Sequence, residues 1–271
     1  MPAELRATAL GRLGYLDGWR LQEAVASRLA AGGPERLLLL EHDPVYTIGR
    51  RGTLDHLTAA PAELRAAGAS VFRVDRGGDI TYHGPGQLVG YPIVSLGEAP
   101  DVVAYVRSLE EALRDTLADF GILSRTIAGK TGVWVELPDR RDAGPGPLGG
   151  PGQVGGPGQV GGPGQVGKIA AIGVRVSRGV TRHGFALNVD TDLAAFARMI
   201  PCGFTHEVGS FARLGVRADV AAVARACAGH LAERLGRDLA WDAAVAPPEE
   251  AEIPADAPVR AAEDLLAAVA A

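Results

Sequence analysis

Apolar and polar positions along this chain follow two rhythms, one of period two and one of about three and a half, and segments of each kind alternate. Asp17 can cap a helix over about Gly18 to Ala31, which Gly32 and Gly33 stop. Arg36 to Glu41 (RLLLLE) reads as a buried strand and Val45 to Gly49 as another short one. Val71 to Val74 is strand-like. So is Leu88 to Leu96, where Gly90 and Pro92 suggest an edge or a bulge. Asp101 caps an amphipathic helix to about Phe120, with Gly121 at its C′ position. Gly132 to Leu137, Ile169 to Ser177 and Val180 to Val189 alternate apolar with small or polar residues, and Ser177-Arg178-Gly179 reads as the turn of a hairpin joining the last two. Helices follow near Leu193 to Met199 and Val220 to Leu235. This order predicts an α+β fold rather than a doubly wound sheet.

Between Gly146 and Gly167 the pattern breaks down. PGQVGG occurs at 151 and 157 and PGQVGK at 163, with glycine at every third residue. The run is short, carries proline in only some triplets and sits inside a globular pattern, so it reads as a loop grown by repeat expansion rather than as collagen. The tail from Ala244 is rich in Ala, Pro and Glu, with one weak helix expected near Arg260 to Ala270. The expected organisation is one domain over 1–240, interrupted by the 144–167 insertion, with a C-terminal extension over 241–271.

At 271 residues and 47% hydrophobic content the chain can bury a sizeable core. A net charge of −5 argues against generic nucleic-acid binding. Only Cys202 and Cys227 occur, without CxxC spacing, which suits a reducing cytosol and no disulfide framework. The early charges after Met1 leave no apolar run for a signal peptide, and no segment has the ~18 apolar residues of a membrane span. The expectation is a cytoplasmic protein.

Two features carry candidate chemistry. The first is Gly167-Lys168-Ile169-Ala170-Ala171-Ile172-Gly173, followed some thirty residues later by Met199-Ile200-Pro201-Cys202-Gly203-Phe204. It offers one lysine and one cysteine in small-residue or Pro-Gly settings. A thiol reacts as thiolate, and an unperturbed one titrates near pH ~8.5. A neighbouring ammonium would favour the thiolate and could then shuttle a proton, a pairing that suits acyl transfer. The second is Arg76-Gly77-Gly78-Asp79-Ile80-Thr81-Tyr82-His83-Gly84-Pro85-Gly86-Gln87. Its paired glycines let backbone approach a ligand, and Arg, Thr, His and Gln supply donors, although a tight structural turn would have the same look. Gly129-Lys130-Thr131 is no phosphate loop, because Ser124 stands where the signature needs glycine. Cys227, on a helix between alanines, reads as core, and His183 suits strand-end packing as well as substrate contact. His42, His56, His206 and His230 lack metal-ligand spacing, so no metal site is expected.

Taken together, these residues resemble the lipoyl(octanoyl) transferase family. The matching pieces are Glu41 to Arg50, the 76–87 motif, Gly132-Val133-Trp134, the 168–177 strand, His183 to Asn188 and Pro201-Cys202-Gly203, in the family's order over about Arg36 to Leu214. The resemblance implies the biotin/lipoate protein ligase catalytic-domain fold, a mixed sheet with helices packed on its outer side. It implies transfer of an octanoyl group from octanoyl-acyl carrier protein to one lysine of a lipoyl domain. Acceptors would be the lipoyl domains of 2-oxoacid dehydrogenase E2 subunits and the glycine cleavage H protein. Cys202 falls on the family's acyl-thioester nucleophile and Lys168 on the lysine that lowers its pKa. Arg76, Gly77, Gly78, Asp79, Ile80, Thr81, Tyr82 and His83, with Ala171, Ile172, Gly173, Gly184, Phe185 and Ala186, fall on the substrate-binding segments. No cofactor, nucleic acid or membrane is implied, and a monomer is expected. The rival readings are an ATP-dependent lipoate or biotin ligase on the same fold and a non-catalytic acyl- or lipoyl-domain-binding protein. Cys202 and the Gly84-Pro85-Gly86-Gln87 ending count against the first, and the Lys168/Cys202 pair against the second.

Overall fold

The computed structural model describes residues 2–138, 165–200, 207–242 and the backbone of 260–261. In chain order the elements are β1 (Ala3–Leu13), α1 (Tyr15–Ala30), β2 (Glu35–His42), β3 (Val45–Ile48), α2 (Pro61–Ala66), β4 (Ser70–Arg73), β5 (Ile80–His83) and β6 (Gln87–Ile93). They continue with α3 (Val102–Asp119), β7 (Arg125–Ile127), β8 (Lys130–Glu136), β9 (Val166–Ser177), β10 (Val180–Asn188), β11 (Glu207–Val208), α4 (Val220–Arg234), β12 (Arg237–Trp241) and β13 (Arg260–Ala261). The repeat over 144–164, Cys202, His206 and most of the C-terminal extension lie outside the described residues.

The described strands form two mixed sheets, so the α+β expectation holds. The larger runs β12-β1-β2-β6-β10-β9-β8-β7, with β11 pairing parallel to the start of β9. The smaller runs β13-β4-β3-β5. The run RLLLLE explains how the layers stack, because its side chains alternate between faces. Leu37 and Leu39 join the core under α3 and α4, while Leu38 and Leu40 join the cluster under α1. Helices therefore cover both faces of the large sheet. α3 and α4 take one face, and α1 shares the other with the small sheet. Amphipathic spacing puts Leu109, Leu113 and Leu117 of α3, and Val223, Cys227 and Leu231 of α4, on that first face.

Local signals placed several boundaries well. The Asp101 side chain accepts from the Ala104 N–H at 2.9 Å, and Gly121 follows α3 at φ +72°. Arg178 and Gly179 have φ of 49° and 78°, the two left-handed positions of a type I′ hairpin turn between β9 and β10. Other expectations are corrected. The first helix starts at Tyr15, so Asp17 lies in its first turn rather than at its cap. β6 is no edge strand, since β2 pairs it on one side and β10 on the other. Pro92 is tolerated because the described β10 pairing ends at Gly90, and Gly90 is a seat for Phe185, whose ring would lie 2.1 Å from an added Cβ. Leu193 to Met199 is a 3₁₀ helix over Leu193–Arg198, and Arg260 and Ala261 pair with Arg73 and Phe72 as a strand, while the rest of the helix expected near 260–270 lies outside the described residues. β1 has mixed burial and no clean alternation, so the sequence pattern does not mark it. Val166 and Gly167, the end of the last repeat, already belong to β9. No described helix is long and apolar enough to cross a membrane.

Candidate active site

Between the two sheets lies a cavity of about 150 Å³, against the ~10–15 Å³ that one water needs. It is therefore of ligand size. Its large-sheet wall is Ala171, Ile172 and Gly173 of β9, with Gly184, Phe185 and Ala186 paired to them on β10. Its small-sheet wall is Arg76, Gly77, Gly78, Asp79, Ile80, Thr81 and His83. Two neighbouring strands of one hairpin and a segment some ninety residues earlier thus meet around one space. Tyr82 is the exception among the expected residues. Strand alternation turns its side chain into the cluster with Tyr46, Ile48 and Met199, where its ring lies 5.2 Å from that of Tyr46.

The Arg76–Asp79 turn is fastened over β9 by backbone bonds. Gly77 N–H donates to Val174 C=O at 3.0 Å, and Gly49, Arg50 and Arg51 N–H groups donate to Asp79, Arg76 and Gly78 carbonyls at 3.1 Å each. Gly173 is required by this approach, since a Cβ there would lie 2.9 Å from the Gly77 carbonyl oxygen. The buried Arg76 guanidinium donates to the Thr47 carbonyl at 2.6 Å and to its hydroxyl at 2.8 and 3.2 Å. The Asp79 carboxylate meets His56 Nδ1 at 2.6 Å and accepts from the Ile80 N–H at 2.7 Å.

His83 anchors a hydrogen-bond chain whose direction is fixed by backbone carbonyls at both ends. Gln87 Nε2 donates to Tyr82 C=O and to Asn188 Oδ1, and Asn188 Nδ2 donates to Gly209 C=O. Gln87 Oε1 is left facing His83 Nδ1 at 2.8 Å, so the proton is on Nδ1. Burial lowers the His83 pKa to about 3, with His42 and Arg76 adding to the effect, and the ring is neutral at pH 7. His42 is lowered to about 4 by burial, against the bond from its Nδ1 to Leu13 C=O. Its Nε2 therefore accepts from the Tyr91 hydroxyl at 2.7 Å. Tyr15 and Tyr91 close this part of the cavity, with the Tyr15 ring 5.1 Å from His42 and 6.4 Å from His83.

His183 borders the same space in a left-handed conformation, φ 55°, which is costly for a non-glycine residue. Its N–H donates to Gln22 Oε1 and its Nε2 meets Asp75 Oδ1, both at 2.7 Å. Burial lowers its pKa. Burial would raise that of Asp75, but the His183 bond and the Arg175 charge outweigh it and the net direction is down.

Lys168 stands at one end of the cavity, half-buried on β9. Gly173 is five residues further on, about 16 Å along a strand. The Lys168 ammonium lies over the Trp134 ring, 4.7 Å from its centroid. Val208 pairs with Lys168, and Gly209 N–H donates to Lys168 C=O at 2.9 Å. Cys202 lies outside the described residues, but Met199 and Glu207, near the two described ends of its segment, both line the cavity with Lys168. Cys227 is fully buried in the core and its thiol is pushed up to about 12, so it is no nucleophile. Gly129 sits in the turn between β7 and β8 rather than in a phosphate loop.

Tyr15, Tyr91, Phe196 and Asn188 line the cavity without having been singled out as binding residues. Asn188 lay inside the His183–Asn188 piece. Tyr15 and Tyr91 carried no signal, because aromatic residues at element starts and in strands usually mean core.

A model of the lipoyl protein ligase A/B catalytic domain matches residues 14–232. Octanoyltransferases of Mycolicibacterium smegmatis and Solibacter usitatus are 45% and 46% identical over 225 residues. These matches cover 82% of this chain and 85% and 89% of the relatives. Two solved structures share the fold. One is a lipoate-protein ligase A bound with ATP, with TM-score 0.66, 18% identity and 90% of each chain covered. The other is a bipartite lipoate protein ligase from Thermoplasma acidophilum, with TM-score 0.65, 18% identity and 90% and 88% covered. The chain belongs to the lipoyl protein ligase A/B catalytic-domain family, among its octanoyltransferases, and is an acyltransferase.

Proposed function

We propose that this chain moves an octanoyl group from octanoyl-acyl carrier protein to a specific lysine of a lipoyl domain, through a thioester on Cys202. Acceptors would be the lipoyl domains of 2-oxoacid dehydrogenase E2 subunits and the glycine cleavage H protein. The observation that supports this reading best is the placement of Lys168 at one end of a ligand-sized cavity, which is also lined by residues flanking the Cys202 segment. The Cys202 thiolate attacks the donor thioester carbonyl, and the carrier thiolate leaves and takes a proton from the Lys168 ammonium. The acceptor amine then attacks the enzyme thioester, neutral Lys168 takes the amine proton, and Cys202 leaves as thiolate. An amide replaces a thioester, so no ATP is consumed. Small residues at Gly77, Gly78, Ala171 and Gly173 leave room for the acyl chain, and Arg76, Thr81 and His83 supply polar contacts at its walls.

Intact mass spectrometry after incubation with octanoyl-acyl carrier protein tests this. An octanoyl adduct on the wild type that is discharged by an acceptor domain, and is absent from Cys202→Ala, is the expected result. Acceptor octanoylation by Cys202→Ala at the wild-type rate refutes the mechanism. The neighbour bound with ATP defines the second reading. A product yield that depends on ATP and free octanoate would favour it.

A further inference from the structure

Of the 27 basic residues in the chain, 25 are arginine and two, Lys130 and Lys168, are lysine. Arginine stays protonated, whereas lysine can release its proton, so the two types are not interchangeable at a proton-transfer site. Both lysine ammoniums lie over one aromatic ring, Trp134, at 4.7 Å for Lys168 and 5.8 Å for Lys130.

This arrangement is built into the strand pairing. Trp134 and Lys168 are direct partners across β8 and β9, with a register shift between Val133 and Trp134. A bulge of this kind re-aims the side chains beside it. Just before it, Gly132 adopts φ +116°, and a Cβ there would lie 2.5 Å from Ala170 C=O and 3.4 Å from Lys168 Cε. The close Ala170 carbonyl and the positive φ thus require glycine there, and the lysine stem passes it at ordinary contact distance. The Gly132 N–H is held by the fully buried Glu110, whose Oε1 accepts it at 2.9 Å. The indole is 1% exposed and its Nε1 donates to Lys130 C=O at 3.3 Å, so the ring is fixed on its own side.

We propose that Trp134 is a positioning residue for Lys168. Its indole face holds the ammonium at the cavity end, and Glu110, Gly132 and the bulge hold the indole. The catalytic consequence rests on the reading of Lys168 above, while the geometry does not. An aromatic face attracts a cation and not a neutral amine. Trp134 therefore favours the charged state that keeps the thiol ionised, at the place where the proton must later be returned.

The two lysines make a direct test practical. Protein labelled with ¹³C at lysine Cε gives two signals, and Lys130→Arg assigns them. The Lys168 Cε protons should show the upfield shift of a group over an indole face. In Trp134→Leu that shift should vanish and the titration midpoint should fall by about half to one pH unit, a roughly threefold to tenfold change in the ammonium-to-amine ratio. Trp134→Phe, with a smaller ring, should fall between. Cys202 alkylation at pH 7 should slow in Trp134→Leu, because the still-protonated ammonium is no longer held in place, and the same substitution should add nothing in a Lys168→Ala background. An unshifted Lys168 signal, or a midpoint unchanged in Trp134→Leu, overturns the proposal. Should the leucine variant fail to fold, an unchanged midpoint in Trp134→Phe does the same. Alkylation that ignores Lys168→Ala, beside a midpoint that moves, would instead refute the coupling of Lys168 to Cys202 and leave the role of Trp134 standing.

Discussion

Gly173→Ala is the most informative small change to this cavity. The backbone at Gly173 is not in a left-handed conformation, so an added methyl meets a packing problem and no dihedral strain. That methyl would lie 2.9 Å from the Gly77 carbonyl oxygen and 3.2 Å from Arg76 Cδ. Ordinary contact needs about half an ångström more, and the oxygen belongs to backbone tied at Gly49, Arg50, Arg51 and Val174. Lifting the turn stretches the 3.0 Å bond from Gly77 N–H to Val174 C=O. Overpacking together with one weakened hydrogen bond costs about 1–2 kcal/mol. For a chain of this size that is a fall in Tm of about 2–8 °C. The effect on transfer should exceed the effect on stability, because the methyl enters the cavity and the displaced turn carries Arg76. A loss of roughly tenfold to a hundredfold in kcat/KM is expected. Differential scanning fluorimetry and single-turnover octanoylation of an acceptor domain read the two effects. Alkylation of Cys202 by a small reagent should stay at the wild-type rate, since Lys168 lies five positions away. A variant that melts and transfers like the wild type would mean that the turn does not pack on β9 as described.

Lys168→Ala should slow Cys202 alkylation at pH 7 and move its pH midpoint upward, and an unchanged profile would uncouple the two side chains. His42 and His83 have folded pKa values of about 4 and 3, below the ~6.5 of a free imidazole. The unfolded chain therefore takes up these protons first. Their contribution to stability is complete above pH ~6.5 and is lost as the pH falls toward 3–4. Imidazole ¹⁵N spectra should show both rings neutral down to pH ~5, and a midpoint near 6.5 for either would contradict their burial. Deleting 151–162 should leave turnover and oligomer size nearly unchanged, because loop-closure entropy varies by only about 0.6 kcal/mol per doubling of length. A large loss of turnover, seen by kinetics, or a new oligomer, seen by light scattering, would show that the repeat has a role of its own.

β2, β3, β4, β6, β8, β9 and β10 were legible as strands because periodicity survives where one face is buried, whereas their order in the sheets was not, apart from the β9–β10 hairpin. The limits appear at particular residues. Pro92 and Gly90 suggested an edge by their backbone chemistry, yet β6 is central, because the Phe185 ring needs the space a side chain at 90 would take. Tyr82 belonged to a motif read as one unit, but the alternation of β5 turns it away from the cavity that Thr81 and His83 line. The contributions of Tyr15, Tyr91 and Trp134 depend on contacts between segments far apart in sequence. Nothing at those positions alone distinguishes an aromatic residue that packs from one that shapes a pocket. The meeting of Arg76–Gly78 with Gly173 was foreshadowed by glycine content, but only the pairing of Gly77 with Val174 gives the distance.

β8 and β9 are antiparallel neighbours, and their last pair is Glu136 with Val166, just beyond which Leu137 N–H donates to Gln165 C=O at 2.9 Å. The two described positions that flank 139–164 are therefore neighbours, joined by a backbone bond. Length added or removed there does not have to pass through the sheet, so it can vary without changing the register that sets Lys168 opposite Trp134. The same closed gate makes this junction a grafting point, where a folded insert with adjacent termini would be carried outside the sheet without separating the strands that hold the site.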